Sequence, residues 1–189
     1  MKKLVIGIAI IIILSPIFLM YNHKQQPTED DVFKYTKNWS ARTEEVYLLR
    51  KIDGEWLTIF RDANSIKIAQ LEQNWLGYWM IKNNDGSKTT LSSIAYPTLP
   101  ENELNWSAGS RGKTSHYFGQ ITNPDIKKIE VETYRDSFED ALIINTEYGE
   151  FFLSRADGEL VMPVNIRGLT ETGKLIYSTV KPIKEGKAN

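Results

Sequence analysis

The chain has 189 residues, a formal net charge of −1 and no cysteine. A length in this range favours a single domain, and the missing cysteine excludes disulfides, thiol nucleophiles and zinc–thiolate sites. A near-neutral charge argues against a nucleic-acid-binding protein, which needs a basic surface to meet the phosphates. We therefore expect no nucleic-acid partner. We also expect no cofactor and no metal, because the sequence holds no motif for either.

The first 23 residues differ in composition from the rest of the chain. They hold Lys2 and Lys3 but no acidic residue, so the remaining 166 residues carry a net charge of −3. Leu4 to Tyr21 is an 18-residue stretch without a charge. As an α-helix this stretch is about 27 Å long, which matches the hydrocarbon thickness of a bilayer. Residues 4–21 therefore predict a single-pass contact with the lipid bilayer.

The orientation and fate of this leader follow from its flanks. Lys2 and Lys3 keep the N-terminus cytoplasmic under the positive-inside rule, which places the body outside the cell membrane. Bulky residues occupy the segment after Ser15, where signal-peptide cleavage requires small ones. We therefore predict that residues 1–22 form an uncleaved signal anchor, or transmembrane helix. The rest is divided into a tether at 23–28, an extracytoplasmic domain at 29–182 and a flexible tail at 183–189.

The body opens with a helix signal. Thr28 stands before three acidic residues, a sequence typical of a helix N-terminus because the hydroxyl caps free amides and the acids suit the dipole. Val32, Tyr35 and Trp39 then recur at helical spacing and form one apolar stripe. The pattern predicts a short helix over roughly residues 29–40.

A hairpin signal follows the helix. Asp53-Gly54 suits the positive φ angles of a type I′ turn and separates two segments of alternating polarity, Glu45–Ile52 and Glu55–Arg61. A two-residue loop fixes the register. It pairs these residues across the hairpin: Ile52 with Glu55, Arg50 with Leu57, Leu48 with Ile59, and Tyr47 with Phe60.

Further strands are predicted along the rest of the chain. Residues 97–115 are rich in Pro, Gly and Ser, so we interpret them as a long loop that could divide two sub-sheets. Short strands separated by glycine turns indicate a mainly β (α+β) domain of antiparallel sheets, packed like a sandwich. Turns are predicted at residues 72–74 and 83–86. The predicted strands are Ser65–Leu71, Trp75–Lys82, Ile126–Tyr134, Ala141–Thr146, Glu150–Arg155, Leu160–Gly168 and Lys174–Val180.

Four residues are candidate ligand contacts. Trp75 and Trp79 share one face of a predicted strand, where they could form an aromatic platform for a glycan or peptide. The opposite face of that segment is also apolar, so a buried central strand is the alternative. Arg111 and Lys113 add positive charges in the predicted loop.

Catalytic candidates are few. His116 is the only histidine of the body, and its neighbour Ser115 points to the opposite face of a strand, so the two form no dyad. Glu130 and Glu132 share a strand face, as the two carboxylates of a glycosidase must share a cleft. They also fit the ordinary polar face of a surface strand. We therefore expect no catalytic residue and no enzyme.

Several segments of the chain form a recognisable series. They are Leu76-Gly77-Tyr78-Trp79, Tyr117-Phe118-Gly119-Gln120-Ile121 with Pro124, Ile126-Lys127-Lys128-Ile129, Ala141-Leu142-Ile143, and residues 169–177. In the order of these segments the chain resembles a group of small membrane-anchored or exported β-rich proteins from Bacillus-type Gram-positive bacteria. The resemblance implies the topology given above and supplies no catalytic residue.

These observations predict a membrane-tethered extracytoplasmic binding or accessory module without enzymatic activity. Its expected partner is an envelope protein or a cell-wall glycan. Two alternatives stay open. One is a cell-envelope hydrolase that uses surface carboxylates or His116. The other is a structural or immunity-type partner of another membrane protein, which it would contact through the leader.

Overall fold

The computed structural model describes residues 2–82, 90–99 and 101–180, without the side chains of residues 2–11, 13 and 111. The predicted tail therefore lies outside the described residues, as does the turn predicted at residues 83–86. Within the described residues the chain forms two helices and thirteen strands. Their bounds are α1 Lys2–Lys24, α2 Glu29–Thr36, β1 Glu45–Ile52, β2 Glu55–Arg61, β3 Ser65–Gln73, β4 Trp79–Ile81, β5 Ser92–Ala95, β6 Leu104–Arg111, β7 Thr114–Ile121, β8 Lys128–Tyr134, β9 Ser137–Asp140, β10 Leu142–Thr146, β11 Gly149–Asp157, β12 Ile166–Leu169 and β13 Leu175–Ser178.

α1 contains the apolar stretch at 4–21. Three of its described side chains, Ile12, Leu14 and Ile17, are more than half exposed. Among the described residues no helix has both the length and the hydropathy that a membrane span needs. The side chains of residues 4–11 and 13, half of the predicted span, lie outside that description.

α2 begins where the sequence predicts. The Thr28 hydroxyl accepts a hydrogen bond from the Asp31 amide, and the Asp31 carboxylate accepts one from the Thr28 amide, 2.9 Å away. The helix ends at Thr36, earlier than the predicted residue 40. The Thr36 carbonyl accepts the Trp39 amide, three residues on, and this tighter turn ends the regular helix.

The strands form three antiparallel sheets. The first sheet has the order β1-β2-β3-β4, with β5 also paired to β3. The middle sheet has the order β10-β11-β7-β6, and the third sheet has the order β13-β12-β8-β9. The mainly β, antiparallel class is confirmed. The expected sandwich of two sheets is wrong, because a third sheet covers the outer face of the middle sheet.

Three apolar clusters hold the layers together. α2 packs on one face of the first sheet, and the other face meets the middle sheet through Leu57, Ile59, Phe118 and Phe151, among others. The second face of the middle sheet meets the third sheet through residues such as Tyr117, Phe152, Ile129, Val131 and Ile166. The layers therefore run α2, first sheet, middle sheet, third sheet.

The loop predicted at residues 97–115 is wrong in its second half. β6 covers Leu104–Arg111 and β7 begins at Thr114. β6 lies at the edge of the middle sheet and, among the described strands, pairs only with β7. Small residues such as Ser107 and Gly109 are tolerated at such an edge, and their resemblance to loop composition hid the strand.

The first hairpin follows the predicted register with one exception. Asp53 and Gly54 have φ angles of 50° and 85°, as the predicted turn requires. Pairs from Ile52–Glu55 to Leu48–Ile59 are as predicted. A bulge then places Val46, not Tyr47, opposite Phe60, so the predicted Tyr47–Phe60 pair is wrong.

Candidate functional site

The turn between β3 and β4 replaces the first half of a predicted strand. β3 continues to Gln73 and β4 starts only at Trp79, so the strand predicted from Trp75 is wrong in its first half. The Asn74 side-chain oxygen accepts hydrogen bonds from the amides of Leu76 and Tyr78, both at 3.0 Å. Asparagine closes turns in this way because its side chain replaces a backbone partner.

The two candidate tryptophans are therefore separated. Trp75 lies in the turn and is 78% exposed. Trp79 lies on β4, where its ring packs edge-on against Trp56, 6.0 Å between centroids. The Trp79 indole N–H donates to the carbonyl oxygen of Gln25 over 3.0 Å. The two side chains do not share a strand face, and Trp79 holds the chain that follows α1.

The C-terminal end of α1 contacts this turn directly. The Asn22 side-chain amide donates to the Leu76 carbonyl oxygen over 3.1 Å. In return, the Gln73 side-chain amide donates to the Asn22 carbonyl oxygen over 3.0 Å. Residues 22–25 and 73–79 thus form one hydrogen-bonded unit, which we call the helix–turn junction.

Gly77 is required at the centre of the helix–turn junction. Its φ of +80° favours glycine, and a Cβ at this position would lie 2.7 Å from the Asn22 Cβ. Pro27, in the segment predicted as a tether, is buried. The chain between α1 and α2 is therefore packed against the body at this point.

Three exposed amphipathic aromatic residues are adjacent in the chain to the residues that make the contact between Asn22 and the turn. Tyr21 precedes Asn22, whereas Trp75 and Tyr78 flank the two residues that touch Asn22. Their exposed fractions are 64%, 78% and 52%. We call these three residues the aromatic rim.

The charged candidates lie on another sheet. Arg111 and Lys113 border the hairpin turn between β6 and β7, where Gly112 has a φ of +61°. Lys113 is exposed, and the side chain of Arg111 lies outside the described residues. This turn belongs to the middle sheet, whereas Trp75 and Trp79 belong to β4 and the turn before it in the first sheet, so sheet pairing does not bring the two pairs of candidates together.

The carboxylate and histidine candidates lie in different layers. Glu130 and Glu132 alternate with the buried Ile129 and Val131, so they face outward from the third sheet. Glu130 binds the Lys128 ammonium at 2.9 Å, and Glu132 accepts the backbone amide of Asp136. His116 is buried on the face of the middle sheet that turns toward the first sheet. The third sheet and part of the middle sheet separate the two sites.

A shallow cleft of about 390 Å³ lies beside Arg155. The Arg155 guanidinium pairs with Glu55 of the first sheet. Burial disfavours the ionised Glu55 carboxylate, but hydrogen bonds from Arg155 and Gln70 and the charges of Arg155 and Lys82 together outweigh burial and lower the pKa of Glu55. Glu139 and Asp157 also line the cleft. The cleft therefore has mixed charge and is not selective for an anion.

A comparison with known protein families, curated proteins and solved structures gives no significant match. The resemblance to the Bacillus-type group stays a prediction. The sequence indicates Trp75 but does not predict that Asn22 and Gln73 contact this turn. The turn predicted at residues 72–74 is placed too early, because β3 continues to Gln73. Asn74 followed three residues later by Gly77, a pair typical of turns, is the signal that gives the correct position.

Proposed function

We propose that the protein is a membrane-tethered extracytoplasmic binding or accessory module that performs no catalysis itself. Residues 1–22 form its anchor, with the N-terminus in the cytoplasm and the body outside. The uncharged stretch at 4–21 supports the anchor, since about 18 apolar residues in a helix match the hydrocarbon thickness.

The observation that carries this proposal is the helix–turn junction. A body joined by a free linker samples many orientations, whereas hydrogen bonds from Asn22, Gln73 and Trp79 couple this body to the end of α1. An anchored module of this kind meets a partner at the membrane in one orientation. Such coupling suits the recognition of an envelope protein or of a cell-wall glycan near the bilayer.

Membrane extraction of the full chain tests the anchor. Ile12 and Leu14 are exposed on α1, and a lysine near the centre of a span costs about 2.5–3.5 kcal/mol. We expect the native chain to stay in the membrane pellet after alkaline extraction and the Ile12→Lys/Leu14→Lys variant to be released. Leu99→Lys, at an exposed position of the body, is the matched control. Release of the native chain would refute the anchor.

The partner is tested by exchanging the leader. Photo-cross-linking in intact envelopes, from a probe placed at Lys113, reports proteins or glycan beside the body. If the body carries recognition, an unrelated anchor spliced before Asn22 keeps the cross-linked product. Loss of the product with normal membrane insertion would instead favour the structural or immunity-type alternative, in which the leader itself makes the contact.

The hydrolase alternative gains no support from the positions of its residues. Hydrolysis of a glycosidic bond requires two carboxyl groups about 5–10 Å apart across one cleft. Glu130 and Glu132 face outward and bind Lys128 and the Asp136 amide, while His116 lies inside another layer. An envelope hydrolase would need residues other than these three.

A further inference from the structure

We propose that the β3–β4 turn is a second membrane contact, in which Trp75 and Tyr78 lie among the lipid headgroups of the bilayer that α1 enters. This inference rests on the anchor proposed above. The occupant of the aromatic rim is a lipid surface, and the rim extends the membrane contact of α1 onto the folded body.

Depth along α1 is the first argument. The uncharged stretch ends at Tyr21, and Asn22 follows at a rise of about 1.5 Å. Asn22 bonds to the Leu76 carbonyl oxygen and lies against Gly77. Because hydrogen-bonded atoms are only about 3 Å apart, the middle of the turn lies within a few ångströms of the depth at which the apolar stretch ends.

The chemistry of the turn is the second argument. Residues 74–78 carry no charged side chain, although charged residues make up 25% of the chain. Trp75 and Tyr78 are largely exposed, and their rings belong to none of the three apolar clusters. Tryptophan and tyrosine are enriched at membrane interfaces because the ring is apolar and its N–H or O–H group stays hydrated.

The polar atoms of the turn are the third argument. Water becomes scarce toward the hydrocarbon core, so a segment at its boundary loses least free energy if its backbone groups already have protein partners. The Asn74 side chain accepts the amides of Leu76 and Tyr78, and the Asn74 amide donates to the Tyr78 carbonyl oxygen. Asn22 satisfies the Leu76 carbonyl oxygen. The turn can therefore approach lipid without leaving these groups unpaired.

Two attachment points fix the orientation of the body. In an antiparallel sheet the β1–β2 and β3–β4 turns lie at one end and the β2–β3 turn lies at the other. The end of the first sheet that bears Trp75 then faces the bilayer. Leu99 follows Tyr96, whose amide donates to Asn64 in the β2–β3 turn, so Leu99 marks the opposite end.

The absence of native cysteine makes the test direct. Three full-length variants, Phe18→Cys, Trp75→Cys and Leu99→Cys, are labelled with a polarity-sensitive fluorophore and reconstituted into phosphatidylcholine–phosphatidylglycerol vesicles. A label at position 18 reports the environment of the anchor, and a label at position 75 reports that of the turn. A label at position 99 is the control, at an exposed hydrophobic position remote from the turn. We expect the emission of the label to be blue-shifted and several-fold brighter at positions 18 and 75. At position 75 lipids brominated at a shallow depth should quench it. At position 99 the emission should not change.

The outcomes separate the two proposals. Insertion at position 18 without a change at 75 would leave the anchor intact and overturn the second contact. No change at position 18 would overturn the anchor and, with it, this inference. Equal shifts at 75 and 99 would mean unspecific adsorption and overturn the inference. Shielding of 75 in native membranes but not in lipid vesicles would assign the rim to a protein partner and also overturn it.

Discussion

The middle sheet and the helix–turn junction use the same residue types in opposite ways. In the middle sheet, Phe118 and Phe152 are fully buried on opposite faces of the sheet, and Gly119 lies against Phe152. At the helix–turn junction, Gly77 lies against α1 and the aromatic side chains beside it are exposed. The first region stabilises the fold and the second connects it to the leader. Substitutions should therefore separate stability from attachment.

The largest expected effect is in the middle sheet. Phe152→Ala removes a fully buried ring between the middle and third sheets. We expect a loss of about 3–5 kcal/mol in the free energy of unfolding, since the cavity adds to the lost burial. Urea unfolding followed by circular dichroism measures this loss. Tyr78→Ala at the aromatic rim is the matched control, and an equal loss there would contradict the comparison.

The second largest loss of stability is expected at Gly119, the glycine of β7 that faces Phe152. A Cβ on Gly119 would lie 2.4 Å from the Phe152 ring and 2.6 Å from the Asn105 carbonyl oxygen. We expect Gly119→Ala to lower the free energy of unfolding by about 3 kcal/mol, the upper end of the range for an overpacked core. The cost is high because the backbone carbonyl of Asn105 cannot move away as a side chain can. Gly109, on the neighbouring strand, has no atom within 4 Å of a Cβ. Gly109→Ala should leave urea unfolding nearly unchanged, and a similar loss in both variants would show that close packing is not the cause.

The β2–β3 turn offers a charged counterpart to the neutral β3–β4 turn. Asp62 is buried, and burial alone would raise its pKa, but Lys67, the Asn64 amide and the Ser65 hydroxyl together outweigh burial and lower it. We expect Asp62→Asn to cost about 2 kcal/mol at pH 7, as for a hydrogen bond to a charged group.

The pH dependence of that loss has a definite sign. A lowered folded-state pKa stabilises the fold above the ordinary Asp pKa of about 3.9, and the effect fades as the pH falls through the folded value. The difference between native chain and Asp62→Asn in urea unfolding should therefore be larger at pH 7 than at pH 3. Asp53→Asn, in the exposed β1–β2 turn, is the control. A difference that does not depend on pH would contradict the ionised Asp62.

A smaller loss in the free energy of unfolding is expected at the helix–turn junction. Gly77→Ala and Gly112→Ala both place alanine at a positive φ, which costs about 1 kcal/mol. Only at Gly77 does the added Cβ meet Asn22, because Gly112 has no neighbour within 4 Å. Amide hydrogen exchange should therefore rise over residues 22–27 in Gly77→Ala alone. Equal exchange in both variants would mean that α1 does not depend on this contact.

The smallest effect on stability is expected at the aromatic rim. Trp75 is 78% exposed, so Trp75→Ser should change the free energy of unfolding by less than about 0.5 kcal/mol. Trp56→Ser, on β2, is the contrast, since its ring packs against Trp79. Urea unfolding compares the two. A loss above 1 kcal/mol at Trp75 would place its ring in the core and contradict an exposed rim.

Predictions from local sequence signals are correct where the structure depends on neighbouring residues. The Thr28 cap and the Asp53-Gly54 turn depend on side chains and φ angles within a few residues. The hairpin register follows from that turn as far as Leu48. The prediction fails at Tyr47, whose ring stacks on Tyr148 from the middle sheet, 4.2 Å away. That contact is remote in the sequence, so no local pattern could indicate the bulge.

The candidate site shows the same limit. Trp75 and Trp79 were expected on one strand face, but the Asn74 side chain turns the chain between them. The alternative hydrolase uses Glu130 and Glu132 or His116, and the layers separate His116 from the two glutamates, which share the outer face of β8. The assembly of side chains from different strands depends on sheet order, which alternating polarity does not encode.

The sequence by itself determined the antiparallel β class, the helix cap, the first hairpin and the uncharged stretch at 4–21, because each depends on composition or on residues close in the chain. Only the tertiary structure decided that three sheets stack instead of two, that β6 is a strand, and that Asn22 meets Gly77. Those outcomes depend on burial of both faces of the middle sheet and on the close approach of segments about 50 residues apart, for which the sequence carries no local signal.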